Sequence, residues 1–83
     1  MEYLKMEDIV EVKDLNLAAA LMTASHKLEA FDDRNKNEVY FIFKNSMDLQ
    51  ETIDNYWTGN LNLNIGFFQY NQKRLKEKVF SLK

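Results

Sequence analysis

Eighty-three residues, 46% of them apolar and 13% aromatic, make one globular domain with a thin core and argue against disorder. The chain has no cysteine, which excludes disulfides, thiolate metal sites and cysteine nucleophiles and makes a reducing cytoplasm the simpler setting. The net charge of −2 is unevenly spread: nine acidic and five basic side chains in residues 1–38, three and one in 39–60, one and five in 61–83. An acidic balance of this kind is not that of a dedicated nucleic-acid binder, although the basic tail leaves such a contact open.

Residues 1–7 mix charge with Tyr3, Leu4 and Met6 and lack the apolar centre of a signal peptide. They fit either a strand or a helical turn. Ile9-Val10-Glu11-Val12-Lys13 is β-branched and reads as a strand. Asp14 or Asn16 then caps a helix running to about Ser25. Its apolar stripe is Leu17, Ala18, Leu21, Met22 and Ser25, and Ala18-Ala19-Ala20 let it approach a sheet closely. No glycine closes it, so Ser25-His26 must.

Leu28-Glu29-Ala30-Phe31 reads as a second strand, followed by a wholly polar turn from Asp32 to Asn37. Next comes Glu38-Val39-Tyr40-Phe41-Ile42-Phe43-Lys44, the stretch around which the rest is expected to be built. Its five central residues are aromatic or β-branched, and both faces are apolar, so it calls for cover or pairing on each side. Asn45 or Ser46 caps the next helix, which carries Leu49, Ile53, Tyr56 and Trp57 at helical spacing and stops at Gly59. Residues 60–66 read as an extended connector or as the start of the last helix. Leu61, Ile65, Phe68, Gln72, Leu75, Val79 and Leu82 then alternate spacings of 4 and 3, a heptad rhythm with one polar position. Residues 66–81 are taken as helical. No run approaches the length of a membrane span.

No residue set announces a chemistry. His26 suits a general base, but no serine in a strained turn accompanies it, and a helix end is an ordinary place for an imidazolium. Asp33-Arg34-Asn35-Lys36-Asn37-Glu38 begins like a calcium loop, yet it lacks the sharp-turn glycine and has Lys44 where the closing glutamate belongs. A solvated hairpin turn is the preferred reading. The adjacent carboxylates Glu7-Asp8 and Asp32-Asp33 are not placed to share a proton, and the two glycines form no phosphate loop. No catalytic residue, metal or cofactor is expected.

Two features remain. Tyr56, Trp57, Phe67, Phe68 and Tyr70 cluster in sequence around the junction of the last two helices. A small domain buries most of its aromatics, but Phe67 and Tyr70 fall off the Phe68-Leu75-Val79 stripe, and exposed they would mark a partner site. Lys73, Arg74, Lys76 and Lys78 flank the same stripe. They are either a solvated face with cations favoured at a helix C-terminus or a phosphate-binding strip beside stacking aromatics.

Val12-Lys13-Asp14-Leu15-Asn16-Leu17-Ala18-Ala19-Ala20-Leu21, Lys27-Leu28, Val39-Tyr40-Phe41-Ile42-Phe43, Tyr56-Trp57-Thr58-Gly59 and Leu75-Lys76-x-Lys78-Val79-Phe80 together resemble a family of short uncharacterised proteins. These occur in Firmicutes, their phages and other mobile elements and are known only as a domain of unknown function. The likeness spans most of the chain. The family tends to place a glycine after the first helix, where Ser25-His26 stands, and a proline before the last helix, where this chain has none. The resemblance implies a phage or mobile-element context and no enzyme activity, and it transfers no functional residues.

The expected fold is α+β, a small single domain in the order β-α-β-β-α-α, with a two- or three-stranded antiparallel sheet covered by helices and a long C-terminal helix. The expected function is non-enzymatic protein binding in the host cytoplasm, in its sharpest form as an anti-defence, anti-CRISPR-like inhibitor. The partner-binding candidates are Asp32, Asp33, Glu38, Tyr56, Trp57, Phe67 and Tyr70, the acidic ones as a mimic of nucleic acid. The alternative is a small nucleic-acid-binding regulator using Lys73, Arg74, Lys76 and Lys78. A homodimer through Leu61, Ile65, Phe68, Leu75, Val79 and Leu82 is a third reading.

Overall fold

A computed structural model describes residues 3–5, 8–35 and 38–81, with the side chains of 8–33 and 38–81. Met6, Glu7, Lys36, Asn37 and Leu82 lie outside the described residues. Three antiparallel strands and three helices follow the expected β-α-β-β-α-α order, and a short strand precedes them. In chain order the elements are β1 (Tyr3–Lys5), β2 (Ile9–Val12), α1 (Leu15–Thr23), β3 (Leu28–Asn35), β4 (Glu38–Lys44), α2 (Met47–Thr58) and α3 (Ile65–Ser81). The sheet order is β1-β2-β4-β3, every pairing antiparallel. The apolar stretch singled out in the sequence is therefore paired on both sides, by β2 and by β3.

Register follows side-chain alternation. Val12 stands opposite Phe41 and Val10 opposite Phe43, while from β3 Phe31 meets Phe41 and Leu28 meets Phe43. These residues share the face that the helices cover. Phe41 and Phe43 are buried there with Val10, Val12, Leu17, Leu21, Leu49, Ile53 and Leu75. Burying an aromatic or branched side chain of this size is worth about 1.5–3 kcal/mol, so this layer dominates the stability of a small domain. The other face carries Glu11 opposite Ile42, both buried, and Tyr40 opposite Asp32.

The polar run from Asp32 is not all turn. Asp32 to Asn35 continues β3, and Asn35 pairs with Glu38, leaving two residues between the strands. Ladder bonding to β4 overrides the poor strand propensity of aspartate and asparagine. Irregular register between Leu28 and Ala30 and between Asp32 and Asn35 accommodates the misfit.

Helix α1 is the second organising element. Asp14, not Asn16, caps it: the Asp14 carboxylate accepts from the Asn16 and Leu17 N–H groups at 2.8 and 3.4 Å. Leu17, Ala18, Ala19, Ala20 and Leu21 are all buried. Five successive buried residues cover every side of a helix. The single apolar stripe read from the sequence is thus an under-count: α1 has the sheet beneath it and α2 and α3 on its outer sides, and its three alanines leave room for them.

Ser46 caps α2 by accepting the Leu49 N–H at 3.0 Å, and Gly59 ends that helix with φ of 77°. Residues 60–64 form the connector. The Asn64 side chain accepts the Phe67 N–H at 3.0 Å at the start of α3, so the last helix begins one residue before the expected position. Asn71 Nδ2 donates to Thr23 Oγ1 at 3.0 Å and Gln72 Nε2 to Asn16 Oδ1 at 2.8 Å. Neighbouring side chains on α3 therefore tie it to both ends of α1. Gln72, the polar break in the heptad, is one arm of that clamp. Among the described residues no helix is long and apolar enough to cross a membrane.

Candidate functional site

The predicted aromatic cluster divides when folded. Phe68 packs on the core, as do Val79 and the fully enclosed Leu75. These members of the heptad seam are used within the chain's own domain, whereas Ile65 is 67% exposed. Tyr56 is half-buried against the core, and its ring meets Trp57 edge-on at 5.0 Å. Trp57, Phe67 and Tyr70 are 52%, 65% and 60% exposed. Met47 and Phe80 also present their side chains to solvent. An apolar groove of about 270 Å³ lies between α1, the end of α2 and the start of α3, lined by Ala20, Tyr56, Leu61, Leu63, Ile65 and Phe68.

The four cations of α3 do not share a face. Phe67, Tyr70, Arg74 and Lys78 are spaced by 3, 4 and 4 and form one flank of the helix. The Arg74 guanidinium lies 5.6 Å from the centre of the Tyr70 ring, and the Lys78 ammonium 5.4 Å from that of Phe31 on β3. Lys73, Lys76 and Phe80, spaced by 3 and 4, occupy the opposite flank. Arg74 and Lys78 border a second groove of about 280 Å³, floored by Met22, Leu28, Phe31 and Leu75. Phe31, Leu28 and Met22 carried no functional signal in the sequence, because only the docking of α3 beside β3 brings them to those cations.

Among the acidic candidates, Asp33 is exposed and Asp32 half-buried. Glu38 is engaged within the fold. It accepts the Tyr40 hydroxyl at 2.7 Å and pairs with Lys13 at 3.2 Å, and these partners, Tyr40 first, hold its pKa below the ordinary glutamate value.

His26 sits where α1 ends, facing α2. Its Nε2 lies 2.9 Å from Thr52 Oγ1, and the Thr52 hydroxyl donates to the Asp48 carbonyl at 3.0 Å. The histidine nitrogen is then the donor to threonine. Partial burial lowers the imidazole pKa, and the nearby Asp48 charge opposes that shift. The imidazolium expected from the helix end is thus disfavoured by desolvation. A polar pocket lined by Ser25, Ser46, Asp48, Glu51 and Asn55 surrounds the contact. Among the described residues no three of His, Asp or Glu gather to hold a metal ion.

The model of a domain of unknown function, DUF5659, matches residues 7–81. No curated protein and no solved structure matches the chain.

Proposed function

This chain belongs to the DUF5659 family, and for it we propose non-enzymatic protein binding through the outward aromatics of α2 and α3. The observation that carries this is the exposure of Trp57, Phe67 and Tyr70 while eleven apolar residues among those described pack into one buried core. Large aromatics left in solvent beside a packed core are the usual anchors of an interface. A finer form places the protein in a phage or mobile element as an inhibitor of a host defence protein, anti-CRISPR-like in action and working in the host cytoplasm. Its acidic-mimic version rests on Asp32, Asp33 and Glu38. With Glu38 paired to Lys13, its exposed charge falls mainly on Asp33.

The test is capture of a partner from nuclease-treated host lysate by a tagged copy, repeated with Trp57→Ser, Phe67→Ser and Tyr70→Ser. Loss of a stoichiometric partner by variants that melt like the parent supports the reading. Retention by all three overturns it, and retention by Asp33→Lys removes the acidic-mimic version.

A second reading, nucleic-acid binding, is favoured by one observation, the stacking of Arg74 on Tyr70 in line with Phe67 and Lys78. The division of the cations between two flanks limits the phosphates that one strand can reach. Binding to single-stranded nucleic acid that weakens steeply with salt and fails in Arg74→Ala would establish it.

A further inference from the structure

Strand β3 is an edge of the sheet: its one paired neighbour among the described strands is β4. An edge strand turns alternate N–H and C=O groups outward, a template for one more strand. Natural edges are commonly shortened or covered. This one runs from Leu28 to Asn35 with irregular register at Leu28/Ala30 and Asp32/Asn35, so its regular template is the stretch from Ala30 to Asp32. Directly beside it lies the groove floored by Met22, Leu28, Phe31 and Leu75, with Arg74 and Lys78 on its rim and no acidic side chain in its lining. An open strand edge, an apolar floor and a cationic rim thus meet in one place.

We propose that this groove and the β3 edge together bind an extended peptide segment in which an apolar side chain has a carboxylate two residues to either side, on the same face of the strand. Main-chain hydrogen bonds to β3 supply the backbone contact, as in strand addition to other sheets. The apolar side chain fills the groove over Leu28 and Phe31. Carboxylates on either side meet Arg74 and Lys78, whose cations are held in place by the Tyr70 and Phe31 rings. Arginine in particular offers a planar fork that matches a carboxylate. Glu29 and Asp33 are exposed carboxylates on β3 itself, so the peptide's carboxylates are expected on its α3-facing side, toward Arg74 and Lys78, and not over the strand. The inference rests on the protein-binding reading and names the chemistry of the partner.

A yeast-displayed library of random short linear peptides, selected against the full chain, tests it. The enriched peptides are expected to carry an apolar residue with acidic residues two positions to either side of it. The best of them, synthesised and titrated, should shift the amide resonances of Leu28–Asp33. Its affinity should fall roughly tenfold in the Arg74→Gln, Lys78→Gln double variant and equally when its own glutamates become glutamine, a change that leaves the protein untouched. Proline placed in turn along the peptide should abolish binding at alternate positions, those whose N–H groups face β3. Failure of any peptide to enrich, enrichment of neutral or basic sequences alone, or shifts confined to other elements would overturn the proposal. So would an oligothymidylate strand that shifts the same resonances at lower concentration than the peptide, which would assign the flank to nucleic acid. If the acidic peptides fail while Trp57→Ser, Phe67→Ser and Tyr70→Ser still release the captured partner, the groove assignment falls and the broader binding reading stands.

Discussion

Ser25 and Gly59 end two different helices in the same left-handed conformation, with φ of 75° and 77°. The hydrogen bonds match as well. Ser25 N–H returns to Met22 O and His26 N–H to Leu21 O; Gly59 N–H returns to Tyr56 O and Asn60 N–H to Asn55 O. This is the usual glycine-terminated helix end, built once with glycine and once without. A side chain in that region costs about 1 kcal/mol. Ser25→Gly is therefore expected to stabilise the domain by about 1 kcal/mol, raising Tm by roughly 4–8 °C. Gly59→Ala is expected to lower it by a similar amount, through the backbone alone, since no atom lies within 4 Å of the added Cβ. Thermal unfolding measures both; a Ser25→Gly protein that melts no higher would show that the serine is not strained.

The two ends of the heptad rhythm should respond differently to truncation. Leu75 is enclosed at the meeting of α3 with the core, whereas Ile65 faces solvent. Leu75→Ala is expected to cost about 2–5 kcal/mol, and Ile65→Ala within about 0.5 kcal/mol of nothing. Denaturant unfolding separates the cases, and equal losses would contradict the placement of α3.

His26 links folding to pH. Burial lowers its folded-state pKa below the ordinary value of 6.5. In the window between the two values the unfolded chain holds a proton that the folded one does not. Stability is then complete above about pH 6.5 and declines as pH falls toward the folded pKa. Asp48→Asn, which removes the opposing charge, should lower the titration midpoint further. Histidine ring resonances followed against pH read it directly, and a midpoint above that of a free histidine would rule the arrangement out.

Glu38 has the opposite dependence. Its folded pKa is depressed by the hydrogen bond from the Tyr40 hydroxyl and by the hydrogen bond and charge of Lys13. Its contribution is present above the ordinary glutamate value and disappears as pH falls through the folded one. Tyr40→Phe and Lys13→Met should each raise the Glu38 pKa. Carboxyl carbon resonances followed against pH read both, and a midpoint unmoved by either substitution would contradict the pairing.

Local features were legible before folding. The central strand from Glu38 to Lys44 ends where its charges lie, Ser46 and Gly59 bound α2, and the connector before α3 is where asparagine and glycine interrupt the helical pattern. Each depends on neighbours within a few residues, and propensity, capping and periodicity act at that range. That Phe67 and Tyr70 lie off the stripe of Phe68, Leu75 and Val79 was legible for the same reason, whereas a small domain's need to bury its aromatics pointed to core, and the fold left both exposed.

Other features came from contacts between residues distant in sequence. Nothing near His26 signals Thr52, which lies on another helix. The polar residues from Asp32 to Asn35 become strand because β4 offers them a ladder. Helix α1 is buried on every side because its alanines let α2 and α3 close over it. The four cations of α3 read as one basic run, yet helical geometry sends them to two flanks, and only the docking of α3 beside β3 sets Lys78 over Phe31. By itself the sequence determined which segments become strands and helices and where several of them stop, because those choices are made within a turn or two of chain. Tertiary structure decided which side chains share a surface, because that depends on how the segments pack and no local pattern encodes it.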